Sequence, residues 1–162
     1  MSIILFSRPI HSGKTTQLIN WCSKQKNVHG ILMPDINGSR KIMDIKTKEI
    51  FDIECVDVEN SNERLTSIGK YNFYTAVFEN ANSIITDSLA QHLEWLIIDE
   101  AGKLELNGKG FYDSIIKATE VYKDNKLSGH LLIAVRDSFC EEIIRFFKLN
   151  NFTVIHQLED LD

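Results

Sequence analysis

The chain has 162 residues, of which 43% are hydrophobic and 25% are charged, and its formal net charge is −5. These values are typical of a globular protein with a buried core, so they exclude disorder as the main state and predict one domain over residues 1–162. The acidic balance argues against a protein that coats nucleic acid. The sequence has no bilayer-length apolar run, no signal peptide and only three cysteines, outside any C-x-x-C pair, which predicts a cytoplasmic protein without a membrane partner.

Short apolar runs alternate with amphipathic segments along the chain. In chain order, we predict a strand over 2–6, a helix from 14 to about 25, a strand over 28–33, a β-hairpin within 39–56 with its tip near 47–49, a loop over 59–67, a helix from 75 to about 93, a strand over 95–99, a helix from about 110 to 121, a strand over 130–135, a helix from about 138 to 149 and a strand over 152–156. This alternation predicts an α/β fold with a mostly parallel sheet and an inserted β-hairpin. Ligand sites in such sheets lie beyond the carboxyl ends of the strands.

The first strand leads into S-R-P-I-H-S-G-K-T-T, whose end matches a phosphate-binding loop. Backbone N–H groups at the start of the next helix would face an incoming phosphate, and Gly13 would let the backbone approach it closely. Lys14 is expected at the β and γ phosphates, and the Thr15 hydroxyl at Mg²⁺. We therefore expect Ser12, Gly13, Lys14, Thr15 and Thr16 to bind the nucleotide, although a G-K-T sequence at an ordinary helix start also occurs by chance.

Arg8 stands where the standard motif has its first glycine. Three interpretations are open: the position tolerates a side chain, the guanidinium itself binds a phosphate, or the loop is one residue longer, with Ser7 at the glycine position. The neighbouring His11 is expected to face solvent.

A second motif, W-L-I-I-D-E over residues 95–100, is an apolar strand that ends in two acids. Asp99 is expected to hold the Mg²⁺ opposite Thr15. Glu100 is expected to orient the attacking water and accept its proton. Alone, a D-E pair after a strand is more commonly a solvated loop or a helix cap, but its combination with the G-K-T-T loop favours a catalytic site.

The segment I-I-D-E-A-G-K-L-E-L-N-G-K-G-F over residues 97–111 resembles a motif of the cancer-related nucleoside-triphosphatase family, which consists of small P-loop NTPases. Weaker similarity covers residues 29–45 and 67–79, and the order of motifs holds from about residue 2 to 156. The resemblance implies a three-layer P-loop NTPase fold and Mg²⁺-dependent hydrolysis of nucleoside triphosphates such as ATP or GTP. It also points to residues 13–16 in the loop and to Asp99 and Glu100.

The chain departs from the family pattern in two places. The loop lacks two of the family's glycines and has one residue more, and residues 33–35, Met-Pro-Asp, replace a T-x-E motif. A nucleotide or small-metabolite kinase and a nucleotide-binding protein without turnover therefore remain as alternatives. A kinase would need an acceptor pocket and an arginine-rich lid, and no arginine-rich segment is present.

Other side chains are weaker candidates. Arg136 follows the strand over 130–135 and is the best candidate to stabilise charge on the γ-phosphate, with a surface ion pair to Asp137 or Glu141 as the alternative. The remaining candidates each have an ordinary structural explanation; they are Arg40 and Arg64 in expected loops, Lys103 and Glu105 as an exposed ion pair, and Tyr71, Phe73 and Trp95 in the core.

Overall fold

The computed structural model describes residues 2–123 and 128–161. The strands are β1 (Ser2–Arg8), β2 (Val28–Leu32), β3 (Asp35–Ile36), β4 (Ser39–Asp44), β5 (Ile50–Asp52), β6 (Leu65–Ile68), β7 (Tyr71–Tyr74), β8 (Trp95–Ala101), β9 (His130–Arg136) and β10 (Phe152–Ile155). The helices are α1 (Lys14–Cys22), α2 (Thr75–Ser88), α3 (Lys103–Leu106), α4 (Tyr112–Lys123) and α5 (Asp137–Phe146), followed by a 3₁₀ helix over Leu158–Leu161. Among the described helices, none combines the length and apolar character that crossing a membrane requires.

The central sheet has the strand order β10-β1-β9-β8-β2-β4-β3, and β5 pairs with β4 outside this path. The strands from β10 to β2 are parallel, whereas β4 runs antiparallel to β2, β3 and β5. The expected mostly parallel sheet is therefore present, and the hairpin predicted within 39–56 is formed by β4 and β5. The carboxyl ends of β1, β9 and β8 lie side by side at one edge.

Alternating side chains of the buried strands serve two separate cores. Ile3 and Leu5 of β1 pack into a core shared with α2, α4 and α5, whereas Ile4 and Phe6 pack into a core shared with α1 and the 3₁₀ helix. Both faces of the sheet are thereby covered, which explains why the parallel strands are apolar at nearly every position. The result is three layers, with helices on both sides of the sheet.

Helix α2 ends at Ser88, five residues before the predicted end at Leu93. The N–H groups of Leu89, Ala90 and Gln91 donate to carbonyls three residues back, which tightens the last turn into 3₁₀ geometry and ends the helix. The Ser88 hydroxyl also donates to the Ile84 carbonyl at 2.7 Å. The apolar residues that follow Ser88 extended the predicted helix too far.

The loop predicted over 59–67 is wrong in its last part, because Leu65 begins β6. Strands β6 and β7 form a two-stranded antiparallel hairpin in which Ile68 opposes Tyr71. Gly69, with φ of 56°, opens the two-residue turn between them. Glycine at the first turn position favours a tight hairpin, so the signal was present in the sequence at Gly69-Lys70.

Candidate functional site

Arg8, Arg136 and the acidic pair Asp99–Glu100 come together at the carboxyl edge of the sheet. Arg8 ends β1 and is the register partner of Arg136 at the end of β9. The acids lie at the end of β8, on the other side of β9. The three strand ends that the sequence singled out therefore form one region, next to the start of α1.

The loop between β1 and α1 spans residues 9–13 and leads into a helix with an open N-terminus. Gly13 is the N-cap residue, with φ of 78°, and no side chain caps the helix or places an acid in its first turn. The first helical backbone bond comes from the N–H of Gln17 to the Gly13 carbonyl at 3.0 Å. The earlier N–H groups, from Lys14 to Thr16, are therefore left for an anion, which the helix dipole also favours.

Arg8 belongs to the strand and not to the loop. Its guanidinium Nη1 donates to Oε1 of Gln17 on α1 at 3.1 Å. Arg8 lies in extended backbone, which any side chain can adopt. This agrees with the first interpretation, that the position simply tolerates a side chain. The left-handed conformation falls later in the loop, at Gly13 and at the exposed His11, whose φ is 57°.

The Lys14 side chain lies over the loop that precedes it. Its ammonium Nζ donates to the Pro9 carbonyl at 3.2 Å and approaches the Arg8 carbonyl at 3.5 Å. Burial lowers the pKa of Lys14, while the carboxylates of Glu100 and Asp99 oppose this shift. The Lys14 ammonium thus lies between the carbonyls of Arg8 and Pro9 on one side and the carboxylates at the end of β8 on the other.

Thr15 and Asp99 are in direct contact. The Thr15 hydroxyl donates to Oδ2 of Asp99 at 2.7 Å, and the Met33 backbone N–H donates to the same oxygen at 3.0 Å. Asp99 is 0% exposed, and its Oδ1 has no hydrogen-bond partner in the described part of the chain. Burial, with a further contribution from Glu100, raises the pKa of Asp99 to about 6.

These groups fit Mg²⁺ bound together with phosphate. A buried carboxylate oxygen without a partner is rare and calls for an explanation, and a hydroxyl and a carboxylate are oxygen ligands of the type that Mg²⁺ prefers. Residues 2–123 and 128–161 contain no cluster of three or more histidine, cysteine, aspartate or glutamate side chains that could hold a metal. The ion would therefore need phosphate oxygens and water to complete its ligand shell, as Mg²⁺ does at nucleotide sites.

Glu100 occupies a β-bulge at the end of β8. Ile98 opposes Ile133 and Ala101 opposes Val135, so that Asp99 and Glu100 together face the single residue between them on β9. Glu100 has φ of 73°, a left-handed conformation that is uncommon for a residue other than glycine. Bulges of this kind redirect side chains and are frequent beside active sites.

Arg40, which the sequence analysis placed in a loop, belongs to a strand. It lies on β4, and its guanidinium forms an ion pair with the Glu100 carboxylate. Both side chains are partly buried, so solvent screens this pair less than one on the open surface. The contact joins residues that are 60 positions apart in sequence, and only the register of β4 on the sheet brings them together.

Arg136 forms no ion pair with Asp137 or Glu141, and its guanidinium lies over the Phe139 ring at 5.5 Å. Arg64 pairs with Glu79 on the surface. Phe73 and Trp95 are in the core as expected, whereas Tyr71 is only half-buried.

The predicted exposed pair of Lys103 with Glu105 is wrong. Glu105 is 2% exposed, and its two oxygens accept bonds from the N–H groups of Gly102 at 2.8 Å and Phe111 at 3.0 Å. Burial raises the pKa of Glu105 to about 7. This side chain joins the turn after β8 to the start of α4.

Comparison with known proteins agrees with this architecture. A family model described as NTPase matches residues 3–158. The crystal structure of THEP1 from the hyperthermophile Aquifex aeolicus superposes with a TM-score of 0.70 and 16% identity, covering 99% of this chain and 92% of that one. The solution structure of a human cancer-related nucleoside triphosphatase superposes with a TM-score of 0.60 and 18% identity, covering 95% and 88%. A search of curated proteins gave no significant match.

The two structural likenesses show the fold, a three-layer P-loop NTPase architecture with a mostly parallel central sheet. The family match supports nucleoside-triphosphatase activity in broad terms. The details of the reaction have to come from the site itself.

Proposed function

The chain belongs to the NTPase family, and we propose that it hydrolyses nucleoside triphosphates such as ATP or GTP to the diphosphate and phosphate, with Mg²⁺. One observation carries this proposal: the Thr15 hydroxyl contacts Asp99, whose second carboxylate oxygen is buried without a partner among the described residues. The contact joins the helix after the phosphate loop to the acidic strand end. A structural aspartate would use both oxygens within the protein, whereas a metal-positioning aspartate keeps one for the ion.

The triphosphate is bound by the loop and the open end of α1. Residues 12–16 supply backbone N–H groups and the dipole of a nine-residue helix. The Ser12 hydroxyl is buried and has no partner among the described residues, so it is available to a phosphate oxygen. When the nucleotide binds, the Lys14 ammonium exchanges the Pro9 carbonyl for the β and γ phosphates. Thr16 contacts the α-phosphate.

Thr15 and Asp99 would hold Mg²⁺, which when bound neutralises charge on the β and γ phosphate oxygens. The Asp99 pKa of about 6 is that of the carboxyl without a bound metal ion. A divalent ion on this oxygen would favour its ionised form.

Glu100 is the proposed general base. Water attacks the γ-phosphorus, its proton passes to the Glu100 carboxylate, and the bond from the γ-phosphorus to the bridging oxygen breaks to release the nucleoside diphosphate. Arg40 holds the carboxylate in place through its ion pair. Arg136, which has no ion pair within the described part, stabilises the charge on the γ oxygens.

The cellular setting completes the proposal. Cys22, Cys55 and Cys140 are free thiols buried in the protein, which suits a reducing cytoplasm. We propose that residues 1–162 work as one domain on a free nucleotide, without a membrane or nucleic-acid surface.

The test is phosphate release from a panel of nucleoside triphosphates with and without Mg²⁺, alongside calorimetric binding. Lys14→Ala should abolish nucleotide binding. Glu100→Gln should retain binding within a few-fold and reduce turnover by roughly 100-fold or more, since general-base catalysis contributes about that factor. Lys109→Ala, at an exposed lysine outside the site, is the matched control.

Three results would contradict the proposal. Turnover by Glu100→Gln at the wild-type rate would remove Glu100 as the base. Transfer of labelled phosphate to an acceptor instead of water would replace hydrolysis with a kinase reaction, and binding without turnover would indicate a nucleotide-binding protein.

A further inference from the structure

A cavity of about 280 Å³ lies beside the hydrolytic site. Its walls come from the β6–β7 hairpin, from the turn between β8 and α4, and from Phe139 of α5. Glu100, Arg40 and Arg136 also line it, so it meets the candidate site at the Arg40–Glu100 ion pair. The volume suits a molecule of one ring with a substituent, because drug-sized ligands occupy about 300–1,000 Å³.

The walls of the cavity are aromatic. Tyr71 and Phe73 of the hairpin stack in parallel, with ring centroids 5.9 Å apart and planes within 3°. Phe78, Phe111 and Phe139 complete the aromatic lining. Flat apolar walls of this kind favour a planar ring, which can stack on them.

The charges around the cavity are mainly positive. Lys70, Lys103 and Arg136 line it, and none of the three forms an ion pair within residues 2–123 and 128–161. The two acids in the wall are already engaged, Glu100 by Arg40 and Glu105 by two backbone N–H groups. An occupant with an anionic group would therefore be attracted more strongly than a neutral or cationic one.

The position of the cavity excludes the ring of the hydrolysed nucleotide itself. No residue of the phosphate loop lines the cavity, whereas Glu100 does. Thr15, Asp99 and Glu100 mark the γ-phosphate end of the site, and the nucleoside lies at the opposite end of the triphosphate. A ring in the cavity must therefore belong to a second molecule.

We propose that this cavity binds a second small ligand, a planar aromatic ring that carries a carboxylate or a phosphate, at the γ-phosphate side of the site. That the ligand is a second molecule rests on the proposed function, because that function orients the nucleotide. Its binding to the cavity does not depend on hydrolysis. The ring packs against the aromatic wall beside Tyr71, whose ring has the Lys70 Nζ at 5.3 Å from its centroid. The anion lies near Lys70 and the other lining cations that form no ion pair among the described residues.

The experiment is a ¹H–¹⁵N NMR titration of the full chain with benzoate and, separately, with phenyl phosphate. Acetate and inorganic phosphate supply the anion without the ring, and phenol supplies the ring without the charge. We expect the amides of Gly69, Tyr71 and Gly102 to shift with at least one of the two ring anions, with a Kd on the order of 1–10 mM for molecules of this size. The three control compounds should bind at least about ten-fold more weakly. The two ring anions also distinguish a carboxylate ligand from a phosphate ligand.

Variants locate the binding. Lys70→Glu, at an exposed residue, should weaken ring-anion binding by at least about five-fold, whereas Lys109→Glu outside the cavity should not. Tyr71→Ala should abolish binding, with Tyr112→Ala as the matched control at a half-buried tyrosine elsewhere. Tyr71→Ala and Lys70→Glu should leave phosphate release from the triphosphate within about two-fold of wild type.

Lys14→Ala separates this proposal from the proposed function. This variant should lose nucleotide binding and keep benzoate binding. Loss of both, shifts confined to the amides of residues 12–16, or equal binding of acetate and benzoate would overturn the cavity proposal and leave the hydrolytic proposal intact. Unchanged ring-anion binding in both Lys70→Glu and Tyr71→Ala would also overturn it.

Discussion

Asp99 and Glu105 are two buried carboxylates of one short segment, and they are held in opposite ways. Burial raises the pKa of both, to about 6 for Asp99 and about 7 for Glu105. Both oxygens of Glu105 accept backbone N–H groups, whereas Asp99 uses only Oδ2 and leaves Oδ1 without a partner in the described part of the chain.

Under the proposed function, the difference separates a structural acid from one that binds the metal. Because an unsatisfied buried acceptor costs about 1–3 kcal/mol, a chain selected for stability alone would pair it. Glu105 is satisfied and closes the turn after β8. Asp99 contacts Thr15 through Oδ2, and its Oδ1, without a partner among the described residues, is the oxygen that Mg²⁺ would use under the proposed function.

The largest effect that this comparison predicts is on turnover. Asp99→Asn should reduce Mg²⁺-dependent phosphate release by about 100- to 1,000-fold. The neutral amide binds Mg²⁺ poorly, and a well-placed metal ion lowers the activation free energy by several kcal/mol. At pH 7 the free energy of unfolding should stay within about 1 kcal/mol of wild type or rise, since the asparagine oxygen can still accept from Thr15 and Met33. Phosphate-release assays and urea unfolding measure the two quantities.

The comparison would fail if Asp99→Asn kept wild-type turnover and lost several kcal/mol of stability. Asp113→Asn, at an exposed aspartate in the first turn of α4, serves as the control: it should leave turnover unchanged and alter the free energy of unfolding by less than about 1 kcal/mol, the size of its interaction with the helix dipole.

The second prediction concerns pH. The pKa of Asp99 rises from 3.8 to about 6 on folding, so the native state binds more protons than the unfolded state between these values. The contribution of Asp99 to stability is therefore fully present below pH 4 and is lost as pH rises through 6. The loss is at most about 3 kcal/mol, since one pKa unit corresponds to 1.36 kcal/mol.

Urea unfolding of wild type and Asp99→Asn at pH 4, 5, 6 and 7, without nucleotide, isolates this term. The raised pKa of Glu105 acts in the same direction, but it is present in both proteins and cancels in the difference. The stability of wild type relative to the variant should fall steadily from pH 4 to pH 6. A flat difference would show that folding leaves the pKa of Asp99 near its ordinary value.

The third prediction reverses the roles of the two acids. Glu105→Gln should lower the free energy of unfolding by about 1–3 kcal/mol. The carboxylate accepts hydrogen bonds from two backbone N–H groups, whereas the amide NH₂ of glutamine is a donor and would leave one of these N–H groups without an acceptor. Nucleotide affinity should stay within about three-fold of wild type, since Glu105 does not contact the loop. Urea unfolding and calorimetric binding test the pair of statements.

A variant with unchanged stability would remove the structural role of Glu105. Glu120→Gln, at an exposed glutamate of α4, gives the reference for the same chemical change on the surface.

The contrast also shows how far the sequence could predict the site. Apolar strand runs follow local rules, so β1 and β8 were predicted from the residues themselves. The same runs place Lys14 and Asp99 directly after strand ends, and their roles at the site stay a prediction. The burial of Glu105 was missed, because the K-L-E-L segment shows nothing of the backbone N–H groups that fold around it. The contact between Arg40 and Glu100 depends on the register of β4, which local patterns do not encode.

The β6–β7 hairpin was missed for a different reason. Its first strand begins within a polar segment that reads as a loop, and only the Gly69-Lys70 turn indicates a reversal. The cavity that it lines was therefore absent from the sequence-based picture. The bulge at Glu100 was equally hidden, since a regular strand would send Asp99 and Glu100 to opposite faces.

The smallest predicted effect concerns Glu100, which lies between the two compared acids. Its φ of 73° is unfavourable for any residue with a Cβ by roughly 1–2 kcal/mol. Glu100→Gly and Glu100→Ala both remove the carboxylate and its ion pair with Arg40, so they differ only in backbone strain and chain entropy. Glu100→Gly should therefore be more stable than Glu100→Ala, by about 1 kcal/mol, as measured by urea unfolding.

The same pair of substitutions at Glu142, an exposed residue inside α5, should give the opposite sign, because glycine in a helix is about 0.5–1 kcal/mol less stable than alanine. Opposite signs at the two positions would show that the left-handed backbone at Glu100 is strained for a residue with a Cβ. The same sign at both would mean that the backbone at Glu100 relaxes once its side chain is removed. In that case the carboxylate itself, held by Arg40, imposes the left-handed conformation on the strand end.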